Sequence, residues 1–185
     1  MVENRQTEWD ELEAKASAIL ENLEPLLIGR STDRRYPTLR LSESPSFEPY
    51  RVWAVFETTV SGNRPPEAWL RRAVWERGAD LQRLRDPMTG LKEGFHTDPS
   101  VTFSEAALPR KELAAALSAL SALVFPAFAG REVIVLDGIR YGIEMFGSST
   151  TVRLSWSRDS VPAYGSLSEW FQNTTNMFDD CLMVV

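Results

Sequence analysis

The sequence predicts an α+β domain, with a mostly antiparallel sheet packed by helices at the N-terminus, in the middle and at the C-terminus. Three observations carry this expectation. Residues 131–182 read as three consecutive strands, a meander over about 132–157, followed by a closing helix. Residues 50–60 alternate with apolar side chains on both faces. Residues 7–27, 109–124 and 166–182 each repeat apolar side chains at helical spacing.

In chain order, residues 7–27 form the first helix. Thr7 can cap it, and Glu8, Asp10 and Glu11 suit the positive end of the helix dipole. Trp9, Leu12, Ala16, Ile19, Leu20, Leu23 and Leu27 make one apolar stripe, which Pro25 disturbs and Gly29 ends. Residues 30–49, rich in Ser, Pro and charge, read as a loop with a short strand at 38–41. In the strand that follows, Val52, Ala54 and Phe56 share one face and Arg51, Trp53, Val55, Glu57 and Thr59 the other, so a central position covered on both sides is expected. Pro65-Pro66 opens the next helix, with Leu70, Ala73, Val74, Leu81 and Leu84 as its buried stripe. Two residues disagree with that stripe: Arg77 falls inside it, and Trp75 projects to the polar side. Either Gly78 divides the helix, or Trp75 with Arg71 and Arg72 makes an exposed aromatic–basic patch of the composition that interface hot spots favour.

Residues 86–100 show no periodicity and hold the only histidine, His96. A short strand at 101–103 precedes the helix at 109–124. There Leu113, Leu117, Leu120 and Val124 are in register, and Ala114, Ala115, Ala116, Ala119 and Ala122 line much of the rest, which predicts a central helix. Val133 to Leu136 then runs into Asp137-Gly138, a strong hairpin signal. Ile139, Tyr141, Ile143 and Met145 share one face of the next strand; after Gly147-Ser148-Ser149, Val152, Leu154 and Trp156 share one face of the last. Ser166-x-x-Glu169 has capping-box spacing. Leu167, Trp170, Phe171, Thr174, Phe178, Cys181 and Leu182 form the stripe of the final helix. No internal repeat, low-complexity tract or clear linker divides the chain, so residues 1–185 read as one domain.

Such a length suits a single core that buries about 70% of the unfolded surface. The lone cysteine, Cys181, cannot form an internal disulfide, and neither a signal-like segment nor a run of about 18 apolar residues is visible, so a cytoplasmic, soluble protein away from membranes is expected. The net charge of −6 is spread unevenly. Residues 1–29 hold Glu3, Glu8, Asp10, Glu11, Glu13, Glu21 and Glu24 against Arg5 and Lys15, and from Asp159 onward there are acids but no Lys or Arg. An acidic balance argues against nucleic acid, although Arg51, Arg71, Arg72, Arg140 and Arg153 would be its contacts. It suits a basic protein partner.

Chemistry-bearing patterns are sparse. One histidine and one cysteine exclude the ordinary zinc sites, and adjacent Asp179 and Asp180 point about 100° apart on a helix, a poor clamp for one ion. His96 lies in no nucleophile motif and reads as a solvated loop residue; Cys181, on an apolar stripe, reads as core. Gly90-x-x-x-Gly94 lacks the lysine of a phosphate loop. Glu57, Glu105 and Glu144 could pair for acid–base work only if their strands lay side by side, and Glu144 is better explained by cross-strand pairing with Arg140 and Arg153. No catalytic residue, cofactor or metal is therefore assigned. The candidate partner-binding residues are Trp75, Arg71 and Arg72 together with the acids Glu8, Glu11, Glu21, Asp179 and Asp180.

The run Asp137-Gly138-Ile139-Arg140-Tyr141, then Val152-Arg153-Leu154-Ser155-Trp156, then Pro162, Leu167 and Trp170 resembles a layout found in small bacterial proteins, some of which look like immunity proteins of toxin systems. The match covers about a quarter of the chain, and its motifs are structural. It implies the meander with its final helix and, for function, a binding protein that neutralises a cognate toxin; it transfers no catalytic residue. The rival expectations are an enzyme or small-ligand binder with a pocket near residues 86–100, and an adaptor subunit.

Overall fold

In a computed structural model, residues 2–23, 37–46, 48–57, 68–86, 98–124, 138–158 and 164–183 are described, with side chains of the first helix from Gln6 onward. Their elements are α1 (Val2–Glu21), β1 (Leu39–Pro45), β2 (Tyr50–Glu57), β3 (Ala68–Trp75), α2 (Arg77–Arg85), β4 (Val101–Leu108), α3 (Arg110–Ser121), β5 (Ile139–Phe146), β6 (Thr151–Ser157) and α4 (Gly165–Met183). All six strands join one antiparallel sheet in the order β4-β3-β2-β1-β5-β6. The α+β class with an antiparallel sheet is therefore what the alternation and helical stripes anticipated. The β5–β6 hairpin is in place, and on its other side β5 is flanked by β1 along its whole length. Val133 to Leu136, Asp137 and the Pro65-Pro66 pair lie outside the described residues, as do residues 24–36 and Pro162.

Each face of the sheet carries its own core. On one, Leu39, Leu41, Trp53, Val55, Leu70, Tyr141, Ile143 and Trp156 pack against Leu113 and Leu120 of α3 and Leu167, Trp170, Phe171 and Phe178 of α4. Indole N–H groups fasten α4 along its length. Trp156 donates to Ser168 Oγ at 2.9 Å, Trp170 donates to the Ala116 carbonyl of α3 at 2.9 Å, and Trp53 donates to Asp179 Oδ1 at 2.7 Å. Each bond satisfies a polar tip that burial of the ring would otherwise strand. On the opposite face Leu12, Ala16, Leu20 and Leu23, in α1 and just beyond it, cover Val52, Ala54, Phe56, Ala73 and Trp75 of β2 and β3. The expectation that β2 is central and covered on both sides holds, because its alternate residues feed the two cores.

Several boundaries and placements differ from the sequence reading. The helix expected to follow Pro65-Pro66 is a strand over Ala68–Trp75, and α2 starts only at Arg77. Leu70, Ala73 and Val74 fit a helical stripe, but Ala68 and Leu70 against Trp69, Arg71, Ala73 and Trp75 fit alternation equally well; pairing with β2 and β4 along the whole segment decides between them. The helix after Pro109 is not central: Ala114, Ala115 and Ala119 are exposed, and Val124 beyond its end is 93% exposed. Alanine there reflects helix propensity rather than close packing. β1 and β4 run further than the short strands expected, α1 begins before Thr7, and α4 starts at Gly165, which places Ser166 inside its first turn.

Candidate functional site

Burial disposes of the aromatic–basic patch. Trp75 is 2% exposed, stacks on Trp9 with ring centroids 6.0 Å apart, and donates its indole N–H to Asp80 Oδ2 at 2.8 Å. Asp80 is itself buried, accepting from Ser100 N at 2.8 Å and Ser100 Oγ at 2.6 Å and pairing with Arg83 at 3.1 Å. The hub thus joins α2 to the entry of β4. Arg77, the other residue that disagreed with a helical stripe, lies over the Trp9 and Trp75 rings and pairs with Glu13 at 3.1 Å. Arg71 is buried with its guanidinium 4.5 Å from the Phe103 ring centroid. Arg72, on the opposite face, pairs with Asp179 at 3.0 Å. These side chains hold elements together and form no exposed anchor. A strand, unlike the expected helix, sends Arg71 and Arg72 to opposite faces of the sheet.

The predicted acids separate into two groups. Asp179 is part-buried and occupied by Trp53 and Arg72, which corrects its reading as part of a solvated helix end; Asp180 beside it is exposed. On α1, Glu11 and Glu21 are exposed, as is Asp10, while Glu8 is half-buried. Lys15 on the same helix reaches Asp98 at 3.6 Å. With Leu12, Ala16 and Leu20 buried beneath, the helix holds Asp10, Glu11 and Glu21 outward on a fixed support.

A second feature, which the sequence reading missed, is a polar cleft of about 590 Å³ where the end of α1 meets the sheet. It lies on the α1 side of the sheet, over β1, β5 and β6, strands whose other face carries the α4 core. Arg40, Glu144 and Arg153 lie abreast in one row across β1, β5 and β6. Arg153 Nε reaches Glu144 Oε1 at 2.7 Å, and Arg40 Nη1 reaches Glu144 Oε2 at 3.4 Å. Arg40 Nη2 also donates to the Leu20 carbonyl at 2.6 Å, satisfying the last turn of α1. The expected Arg140–Glu144 pairing is replaced by Arg40, which the β1–β5 register sets directly opposite Glu144; Arg140 falls opposite Ser44. In the next row Gly142 faces Ser42, and a Cβ at Gly142 would collide with Ser42 Oγ, so glycine keeps the floor low there. Tyr50, Phe146, Glu21, Asn22, Leu23 and Pro37 complete the lining. Burial pushes the Tyr50 phenol above its ordinary value, with Arg40 and Ser42 opposing, so it keeps its proton at neutral pH.

Glu57, Glu105 and Glu144 do not converge. Their strands are not neighbours; Glu57 pairs with Arg110 at 3.3 Å, and Glu105 stands opposite Arg71. Burial raises the pKa of the Cys181 thiol, which packs against the α4 core as its apolar stripe implied. Among the described residues no group of three or more His, Cys, Asp or Glu is placed to hold a metal ion, and no helix is long and apolar enough to cross a membrane. His96, Gly90, Gly94 and most of the 86–100 stretch lie outside the described residues. No family model matches the chain, and neither the curated proteins nor the solved structures include a match.

Proposed function

We propose that this chain is a non-enzymatic binding protein that neutralises a basic protein partner in a bacterial cytoplasm, as an immunity protein neutralises its toxin. The observation that carries the reading is the outward face of α1, where Asp10, Glu11 and Glu21 are exposed on a helix anchored by Leu12, Ala16 and Leu20. Fixed exposed carboxylates of one sign raise the encounter rate with a cationic surface and suppress wrong partners. Asp180 adds to the exposed acids, whereas Asp179, Trp75, Arg71 and Arg72 belong to the packing. The resemblance of the β5–β6 and α4 segment to immunity-type proteins points the same way.

The test is kinetic. After affinity purification from the native cell identifies the partner, association is followed by stopped flow. Replacing Glu8, Glu11 and Glu21 with lysine slows association roughly tenfold at low salt and changes dissociation little. At about 0.5 M salt the difference shrinks, because exposed charges are screened beyond a few ångströms. Rates indifferent to both charge and salt, or the absence of any stable macromolecular partner, would overturn the proposal.

A further inference from the structure

The acidic face of α1 gives no role to the edges of the sheet, which are β4 and β6. Among the described residues β6 pairs with β5 alone, over its whole length and without a bulge. The ladder fixes where its backbone groups point. Arg158 N donates to the Ile139 carbonyl and Gly147 N to the Thr150 carbonyl, so in this register Val152, Leu154 and Trp156 turn their N–H and C=O groups to β5. Thr151, Arg153 and Ser155 turn theirs outward, and all three residues are exposed. Val152 between them is 41% exposed, an apolar side chain at the margin of the α4 face. Edge strands are commonly blunted by lysine, proline or a bulge. β6 has none of these, and its one charge, Arg153, is held on the cleft face by Glu144 at 2.7 Å. β4, by contrast, is bracketed by Pro99 and Pro109 and carries Glu105 in its middle.

We propose that the free edge of β6 pairs antiparallel with β6 of a second copy of this chain, about a two-fold axis at Leu154. The strand is its own complement in that register. Outward-facing backbone must meet outward-facing backbone, and a two-fold at Leu154, the midpoint of Thr151–Ser157, satisfies this while keeping the whole strand in step. Arg153 of each copy falls opposite Ser155 of the other, and the two exchange both backbone hydrogen bonds. Leu154 meets Leu154 and Val152 meets Trp156, so apolar side chains face apolar ones on the α4 side. On the other side each guanidinium faces a serine, with no like charges opposed. Centring on Arg153 instead would set two guanidiniums against each other, and centring on Ser155 would set Val152 against Arg158. The axis is perpendicular to the sheet, so both copies keep α4 on one face and α1 on the other, and two six-stranded sheets become one. Main-chain bonds hold such a pair and the alternate side chains set its register. The outer face of α1 takes no part, so the proposal stands apart from the partner-binding reading.

The experiment is sedimentation equilibrium of the full chain up to about 200 μM, where a dimer with a dissociation constant of about 10 μM or tighter is expected. Ser155→Pro deletes an outward N–H and spares the bonds to β5. Val152→Lys sets a charge opposite Trp156 of the second copy, yet leaves it in solvent in the monomer. Each variant weakens self-association by at least about tenfold, and Val152→Lys carries the test if Ser155→Pro does not fold. Leu154→Cys in a Cys181→Ser background gives a disulfide-linked dimer on mild oxidation, because residues of a non-hydrogen-bonded antiparallel pair are close enough for that bond. Thr151→Cys in the same background does not, since the axis carries its two copies far apart. A chain that stays monomeric at about 200 μM, a dimer indifferent to Val152→Lys, or equal cross-linking by Leu154→Cys and Thr151→Cys would each overturn the assignment.

Discussion

β1 and β5 each carry two opposed environments. Leu39 and Leu41, with Tyr141 and Ile143, face the α4 core, whereas Arg40, Ser42, Gly142 and Glu144, which alternate with them, face the cleft. A strand alternates with period two, so a one-residue slip in register would exchange core for cleft along both strands. The apolar face fixes the register, and the polar face inherits its geometry from it: Arg40, Glu144 and Arg153 come abreast because Leu39 opposes Met145 and Ile143 opposes Leu154. The α1 core rests on β2 and β3 and leaves the floor over β1, β5 and β6 to polar side chains. Truncations should therefore cost most on the α4 face, less in the polar hub under α1 and α2, and least where charge meets solvent.

The largest effect is expected for Trp170→Ala. The ring is buried, packs in the α4 core and donates to the Ala116 carbonyl, so truncation removes apolar contacts and strands an acceptor. A loss of about 3–5 kcal/mol in urea melts is expected. A loss below about 1 kcal/mol would mean that α4 does not carry this face.

Asp80→Ala comes next. The carboxylate takes donors from Trp75, Ser100 and Arg83, and its removal leaves a buried indole N–H and a backbone N–H without their acceptor. About 3 kcal/mol is expected, with hydrogen exchange accelerating first at Trp75 and Ser100. Uniform acceleration over the whole sheet would show that the hub is not a separate unit from the α4 face.

How much of this was legible in the sequence follows from the range of each interaction. α1, α4 and the β5–β6 hairpin were readable because Leu12, Ala16 and Leu20, or Leu167, Trp170, Phe171 and Phe178, announce their own buried faces locally. β3 was not. Its residues satisfy two periodicities, and the choice rests on β2 and on β4, which stands some thirty residues downstream. Trp75 was misplaced for the same reason, since its face depends on the element to which it belongs. The cleft was invisible because its row joins residues that only the sheet order brings together, Arg40 to Glu144 across 104 positions. Neither Arg40 nor Gly142 carries a local mark of that role.

The smallest and most discriminating effect is expected at Glu43, where the α4 face meets charge. This residue stands between Arg51 on β2 and Tyr141 on β5 in register, and pairs with Arg51 at 3.3 Å. Burial raises its pKa above the ordinary 4.5; the Arg51 charge and hydrogen bond oppose this without cancelling it, and Glu48 and Asp179 add to the rise. An acid whose folded pKa is raised holds its proton more tightly folded than unfolded. Its ionised form therefore costs stability above the folded pKa, and that cost is relieved as pH falls through the folded pKa toward 4.5. Glu43→Gln removes the ionisable group and leaves a polar side chain of the same size. Its urea midpoint at about pH 7.5 is expected to match or exceed that of the parent, with the advantage shrinking toward about pH 5. If the variant is instead less stable at neutral pH and the deficit closes on acidification, the Arg51 ion pair outweighs burial. The rim of the α4 face would then be governed by its own ion pair rather than by burial.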